Sequence, residues 1–203
     1  MSTGSSTARA LGTRFADSFN VRDYGAVGDG TTNDYTAIQA TITAAQANGG
    51  FVVFPPGRYV SNSTLTVQAD AVFLIGVGEA SKQATSKGAV LINGSTTADL
   101  LAFSNCSGSG MSGFLIYTSG TATAGYGVTF DTCYNSTVEL VRFESVWNGI
   151  KVYRSTGTRL TDIEMRDLKG TRGIQYEGTS AITSNSLFIT RMVTDMAGTN
   201  NTS

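Results

Sequence analysis

Apolar residues come in pairs two apart through the second half of the chain, separated by polar or small residues. Such pairs mark strands that bury one face. Leu101/Phe103, Val128/Phe130, Ile150/Val152 and Ile174/Tyr176 form one column. Phe114/Ile116, Val141/Phe143, Ile163/Met165 and Leu187/Ile189 form a second, and both columns step by 27, 22 and 24 residues. Within each repeat the second pair begins eleven residues after the first one ends, as from Phe103 to Phe114. A period of twenty-odd residues with two inward strands predicts stacked coils of parallel β-structure, each burying its apolar pairs on its neighbours. Gly127, Gly149 and Gly173 directly precede the first strand of successive coils, and are expected at a corner with unusual backbone angles. Less regular coils are expected over Leu65–Ile92, around Val72/Leu74 and Val90/Ile92, giving roughly six turns.

The first third reads differently. Residues Ser5–Ser18 carry Ala8, Leu11 and Phe15 at helical spacing. A strand-like run from Phe19 leads into a turn where Gly25, Gly28 and Gly30 can supply positive φ. A phosphate-cradling loop would need Gly-Lys-Ser/Thr, and this turn offers Asp29-Gly30 instead. Asn33 or Asp34 stands at the N-cap of a helix over Tyr35–Ala47, with Ala37, Ile38, Thr41, Ile42 and Ala45 on one face. Asn48-Gly49-Gly50 stops it, strand Phe51–Phe54 follows, and Pro55-Pro56-Gly57 turns the chain into strand Tyr59–Ser61.

The strings FNVRDYGAVGDGTTNDYTAIQA and GGFVVFPPGRYV, covering Phe19 to Val60 with the helix between, resemble the opening segment of the pectate-lyase-like superfamily. The resemblance implies an all-β fold, a right-handed single-stranded parallel β-helix whose open end is capped by a short helix. Residues 1–18 then form a linker and helix, 19–62 the opening motif, and 63–203 the coils. Thr7–Asp17 resembles the linker that joins particle-binding parts to this fold in bacteriophage tailspikes and tail fibres. The polar end Met196–Ser203 offers no apolar cap, which implies a truncated chain or a continuation packed on another element.

Charged residues make up 14% of the chain and the net charge is -1, so no basic face is available for nucleic acid or anionic lipid. No apolar run approaches membrane-spanning length, and Met1–Thr7 lacks the pattern of a secretory signal. Histidine is absent, which leaves chemistry to carboxylates, Lys, Arg or Tyr.

Alternation places Asp162, Glu164 and Arg166 outward on one strand, above Leu140, Arg142 and Glu144 of the coil below. Carboxylates two apart on a strand lie about 6.5–7 Å apart, inside the roughly 5–9.5 Å window of glycoside hydrolysis. Asp162 and Glu164 are therefore the candidate catalytic pair, with Arg142, Tyr153 and Tyr176 as candidate substrate contacts. The plainer reading is a charge ladder, Arg142 under Glu164 and Glu144 under Arg166. Asp131 and Glu177 flank Tyr153 in another outward column, and Trp147 is a further available aromatic. No acidic cluster suggests calcium, and Asp23, Asp29 and Asp34 suit turns and caps, so neither metal nor cofactor is expected. Cys106 and Cys133 fall in one column of adjacent coils, followed by Ser155 and Thr179. Stacked small side chains and an inter-coil disulfide both fit that placement.

The resemblance implies a phage tailspike or tail-fibre component, assembled in the host cytoplasm and carried on the virion. Its expected partners are two further copies of itself in a homotrimer, other phage tail proteins and a host surface polysaccharide, without nucleic acid or membrane. Alternatives are a free polysaccharide hydrolase or lyase, the hydrolase ahead of the lyase, and a non-catalytic carbohydrate-binding tail segment.

Overall fold

A computed structural model of the chain describes residues 17–78, 87–178 and 186–195. The linker and most of the helix expected over Ser5–Ser18 lie outside the described residues, and Ser18 itself belongs to a strand. In chain order the strands are β1 (Ser18–Asn20), β2 (Asp29–Asn33), β3 (Gly50–Phe54), β4 (Gly57–Ser61), β5 (Leu65–Val67), β6 (Val72–Gly76), β7 (Ala89–Asn93) and β8 (Leu101–Ser104). They continue with β9 (Gly110–Thr118), β10 (Tyr126–Asp131), β11 (Thr137–Glu144), β12 (Asn148–Tyr153), β13 (Thr158–Arg166), β14 (Ile174–Glu177) and β15 (Leu187–Asp195). The helix α1 (Tyr35–Gln46) lies between β2 and β3. Among the described residues, no helix is long and apolar enough to cross a membrane.

All pairings are parallel, and they sort the strands into two stacks that wind together as a parallel β-helix. One stack runs β5-β8-β10-β12-β14, and the other β1-β3-β6-β9-β11-β13-β15. The first apolar column is in register throughout: Leu101, Val128, Ile150 and Ile174 align, as do Phe103, Phe130, Val152 and Tyr176. Phe103 and Phe130 stack with ring centroids 4.8 Å apart. Each such buried side chain contributes about 1.5–3 kcal/mol by leaving water, so the columns hold the coils together.

The long strands bend. Gly113, Leu140, Asp162 and Arg191 have φ of 82°, 53°, 54° and 52°, and all four sit at the position that the pairing register skips. Two further left-handed stacks, Asn105-Thr132-Arg154 and Ser145-Asp167, mark the other corners, so each coil has three flat sides. The bend at Gly113 also divides the sheet. Gly110–Ser112 pair with β6, whereas Leu115–Thr118 pair with β7, which leads through β4 to β2.

Helix α1 closes the first end, burying Ile38, Thr41, Ile42 and Ala45 as the apolar face required. Its Gln39 side chain acts as a surrogate rung for β5, accepting from Thr66 N at 2.9 Å and donating to Thr66 O at 3.0 Å. The edge strand thus has its backbone groups satisfied without another strand. The N-cap role is divided: Asn33 Oδ1 accepts from Tyr35 N, while the Asp34 carboxylate reaches back to Val27 N and Gly28 N at 2.7 and 3.1 Å. Gly25, Gly28 and Gly30 all have positive φ, and the turn runs on into β2 rather than remaining a loop.

Three sequence expectations change. Leu187 and Ile189 align with Thr158 and Leu160, while Ile163 and Met165 align with Met192 and Thr194. The step of the last rung is lengthened by the nine residues 178–186 between β14 and β15, against five, 132–136, between β10 and β11. Val90 and Ile92 join a second cluster with Val60, Leu115 and Tyr117, and it is Leu91 that faces the main core. Gly127, Gly149 and Gly173 do not adopt positive φ. At two of them a Cβ is excluded by a neighbour: it would lie 2.6 Å from the Phe143 ring at Gly127 and 2.4 Å from Gly173 O at Gly149.

Candidate functional site

The left-handed corner of the long strands floors a groove of about 350 Å³, lined by Gly78, Gly113, Phe114, Leu140, Val141, Arg142, Asp162 and Glu164. Its floor crosses the coils rather than following a strand. Successive rungs lie about 4.8 Å apart, so Gly113, Leu140 and Asp162 span about 10 Å along the coil axis. The bend that turns each strand at this corner exposes the residue on it, and Leu140 is accordingly 56% exposed.

Asp162, Glu164 and Arg142, drawn together from the sequence as a catalytic pair and a substrate contact, do line this one groove. Each carboxylate there has arginine partners. Asp162 Oδ2 pairs with Arg191 at 2.6 Å. Glu164 is held on both oxygens, by Arg142 from the coil below and by Arg166 on its own strand. Burial alone would raise the Glu164 carboxyl, but the hydrogen bonds and charges of the two arginines outweigh it and hold the group below the usual carboxylate range. A carboxyl so held stays ionised and accepts hydrogen bonds; it does not carry the proton that a general acid must deliver.

Tyr153 and Tyr176 lie elsewhere, on β12 and β14 of the other stack. Tyr153 aligns with Asp131 and Glu177 as the outward column required. The Arg154 guanidinium lies 4.6 Å from the Tyr153 ring centroid and grips both oxygens of Asp131 at 2.8 and 2.6 Å, which lowers the Asp131 pKa. Lys151 lies 5.2 Å from the same ring centroid and pairs with Glu177. Tyr176 continues the inward column above Val152 and is 37% exposed at the last rung of its stack. Among the described residues, no three acidic, Cys or His side chains gather as a metal site.

Residues 18–202 match the rhamnogalacturonase A/epimerase, pectate lyase-like family. The chain belongs to this family. A curated relative, the mannuronan C5-epimerase AlgE6 of Azotobacter vinelandii, is 47% identical over 68 residues, which is 30% of this chain and 8% of the epimerase. The fold recurs in ORF18 of Geobacillus virus E2, with a TM-score of 0.62 and 18% identity over 90% of this chain and 42% of that one. It recurs in the A-module of the epimerase AlgE4 of Azotobacter vinelandii, with a TM-score of 0.58 and 20% identity over 87% of this chain and 56% of the module.

Within this pectate-lyase-like chain, sequence reasoning missed Arg191 and placed Arg166 only opposite Glu144. Arg191 was hidden by the lengthened last step, since its place above Asp162 follows only once the register of β15 is known. The corner itself left no mark beyond the shared repeat. Gly113, Leu140 and Asp162 step by 27 and 22 residues, as the apolar columns do.

Proposed function

We propose that this chain is part of a phage tailspike or tail-fibre protein that engages a host surface polysaccharide, and that the glycan lies along the coil axis in the groove over Gly113, Leu140 and Asp162. The carrying observation is the groove, in which Arg142, Asp162 and Glu164 present planar donors and acceptors on successive coils. Bidentate groups of this kind match sugar hydroxyls and carboxylates. Family membership supports a polysaccharide as the ligand, and the tailspike-like linker over Thr7–Asp17 supports the virion setting. The groove is a recognition site in this reading, with Asp162 and Glu164 engaged by arginine side chains that a glycan can displace. The tail protein acts as a homotrimer with parallel coil axes.

Calorimetric titration of capsule, O-antigen and pectin preparations, with reducing-end and unsaturated-uronate assays on the same mixtures, tests this reading. Binding without new ends, weakened at least about tenfold by Arg142→Ala, is the expected result. Release of reducing ends that disappears in Glu164→Gln would instead make Asp162 and Glu164 a hydrolytic pair. Light scattering that finds a stable monomer counts against the trimer.

A further inference from the structure

A second feature lies on the corner after β8, β10 and β12, away from the groove. Asn105, Thr132 and Arg154 stack there in the left-handed conformation, and the residue after each turns back into the stack. Those residues are Cys106, Cys133 and Ser155, all buried. The Cys106 and Cys133 sulfurs are 3.0 Å apart, closer than two unbonded sulfurs ordinarily rest, and both thiols are free.

The backbone fixes this approach. Tyr134 N donates to Cys106 O at 2.8 Å, and Ser107 pairs with Tyr134, so the cysteines occupy successive rungs. Rungs about 4.8 Å apart fall within the Cα separation that a disulfide spans. Cys133 N donates to Ser155 Oγ at 2.9 Å, and that hydroxyl donates to Tyr153 O at 2.7 Å. Ser155 shows how the column is completed by hydrogen bonding, whereas the two rungs before it bring sulfur against sulfur.

We propose that Cys106 and Cys133 are a two-thiol oxidation site that takes a small peroxide and closes one complete coil with a disulfide. The Cys133 thiolate attacks one peroxide oxygen, the O–O bond breaks, and the departing hydroxide takes up the proton lost by Cys133 to leave as water. Cys106 sulfur then attacks the resulting sulfenic sulfur; the S–S bond forms, the S–O bond breaks, and hydroxide leaves with the Cys106 proton as a second water. Two thiols lose two electrons and two protons, and the peroxide is reduced to two waters. The order follows from the contact between the thiols. The hydrogen bond to Cys133, together with burial, pushes the Cys106 pKa up, while the same hydrogen bond lowers Cys133 against its own burial.

The test uses the full chain, reduced, desalted and exposed to dilute hydrogen peroxide. Expected are loss of both thiols together from alkylation under denaturing conditions, and a non-reduced peptide pair joining Cys106 to Cys133 with the mass of two hydrogens missing. The oxidised chain should melt several degrees higher, reversed by dithiothreitol, because the bridge constrains the unfolded chain. In Cys106→Ala, and equally in Cys133→Ala, the remaining sulfur has no partner, so dimedone present during denaturation should trap it as a sulfenic acid in place of the bridge. Two thiols that still alkylate under denaturing conditions after the folded wild type has been treated with peroxide overturn the site, as does a bridge formed only between molecules. The wild-type peptide map decides this without any variant having to fold.

Discussion

The lid over residues 19–62 and the groove over Gly113, Leu140 and Asp162 are built from the same materials, left-handed backbone and carboxylates, and use them in opposite ways. In the lid, Asp34 is buried and accepts from two backbone N–H groups, and Asp29 accepts from Thr31 N, Thr32 N and the Thr32 hydroxyl. In the groove, Asp162 and Glu164 are held by the side chains of Arg191, Arg142 and Arg166. Backbone donors cannot leave their acceptor without unfolding the turn, whereas arginine side chains can exchange a carboxylate for a ligand. The lid's acids are therefore structural, and the groove's acids are available for recognition.

Glycine gives the sharpest way to break that contrast. Gly25 and Gly113 both have positive φ, but a Cβ on Gly25 meets nothing within 4 Å, while one on Gly113 would lie 2.5 Å from Gly76 O. Gly113→Ala should lose at least about 3 kcal/mol by urea unfolding, and Gly25→Ala only about 1–2 kcal/mol, the cost of a left-handed L-residue. Equal losses would mean that the groove corner is no tighter than the lid. Next in size, Asp34→Ala should lose about 3 kcal/mol at most, by stranding Val27 N and Gly28 N. Asp162→Asn, which removes the charge and keeps a side chain that tolerates the left-handed corner, should change stability by less than about 1 kcal/mol while weakening glycan binding, measured by calorimetry.

Leu140 tests the corner in the other direction. It is an exposed leucine at a φ of 53°, a conformation that costs an L-residue about 1–2 kcal/mol and that asparagine tolerates better. Leu140→Asn should raise stability by about 0.5–1 kcal/mol, read as a shift in the urea midpoint. A loss would show that the leucine packs usefully where it stands.

The two regions also differed in how much of them the sequence disclosed. The lid was legible because Gly25, Gly28 and Gly30, the helix stop at Gly49-Gly50 and the apolar face of α1 are each local signals. The coils were legible because inward pairs must repeat on every rung. The corner was not, since Leu140, Asp162 and Arg191 adopt positive φ without being glycine, imposed by the rungs above and below. Alternation still placed Asp162, Glu164 and Arg142 side by side. The last rung misled because Leu187-Phe188-Ile189 and Met192-Val193 are both apolar, and only the length of 178–186 decides which pair follows Ile163. Gly127 and Gly149 were correctly singled out for the wrong reason, because spacing shows that a side chain is excluded but not whether by φ or by a neighbouring atom.

The smallest expected effect separates the groove's acids from the lid's by pH. The folded-state pKa of Glu164 is lowered, so its ion pairs add stability above the ordinary glutamate value of about 4.3. That contribution is lost as pH falls through the lower folded value. Arg166 is half exposed, so the whole effect should stay below about 1 kcal/mol and shrink in salt. Urea midpoints of the wild type and Glu164→Gln should therefore differ slightly at neutral pH and converge in strong acid. A difference that persists in acid would mean that the Glu164 side chain stabilises the corner by packing rather than by charge. Arg142 and Arg166 would then be held in place by something other than this carboxylate, and a glycan would not need to displace it to reach them.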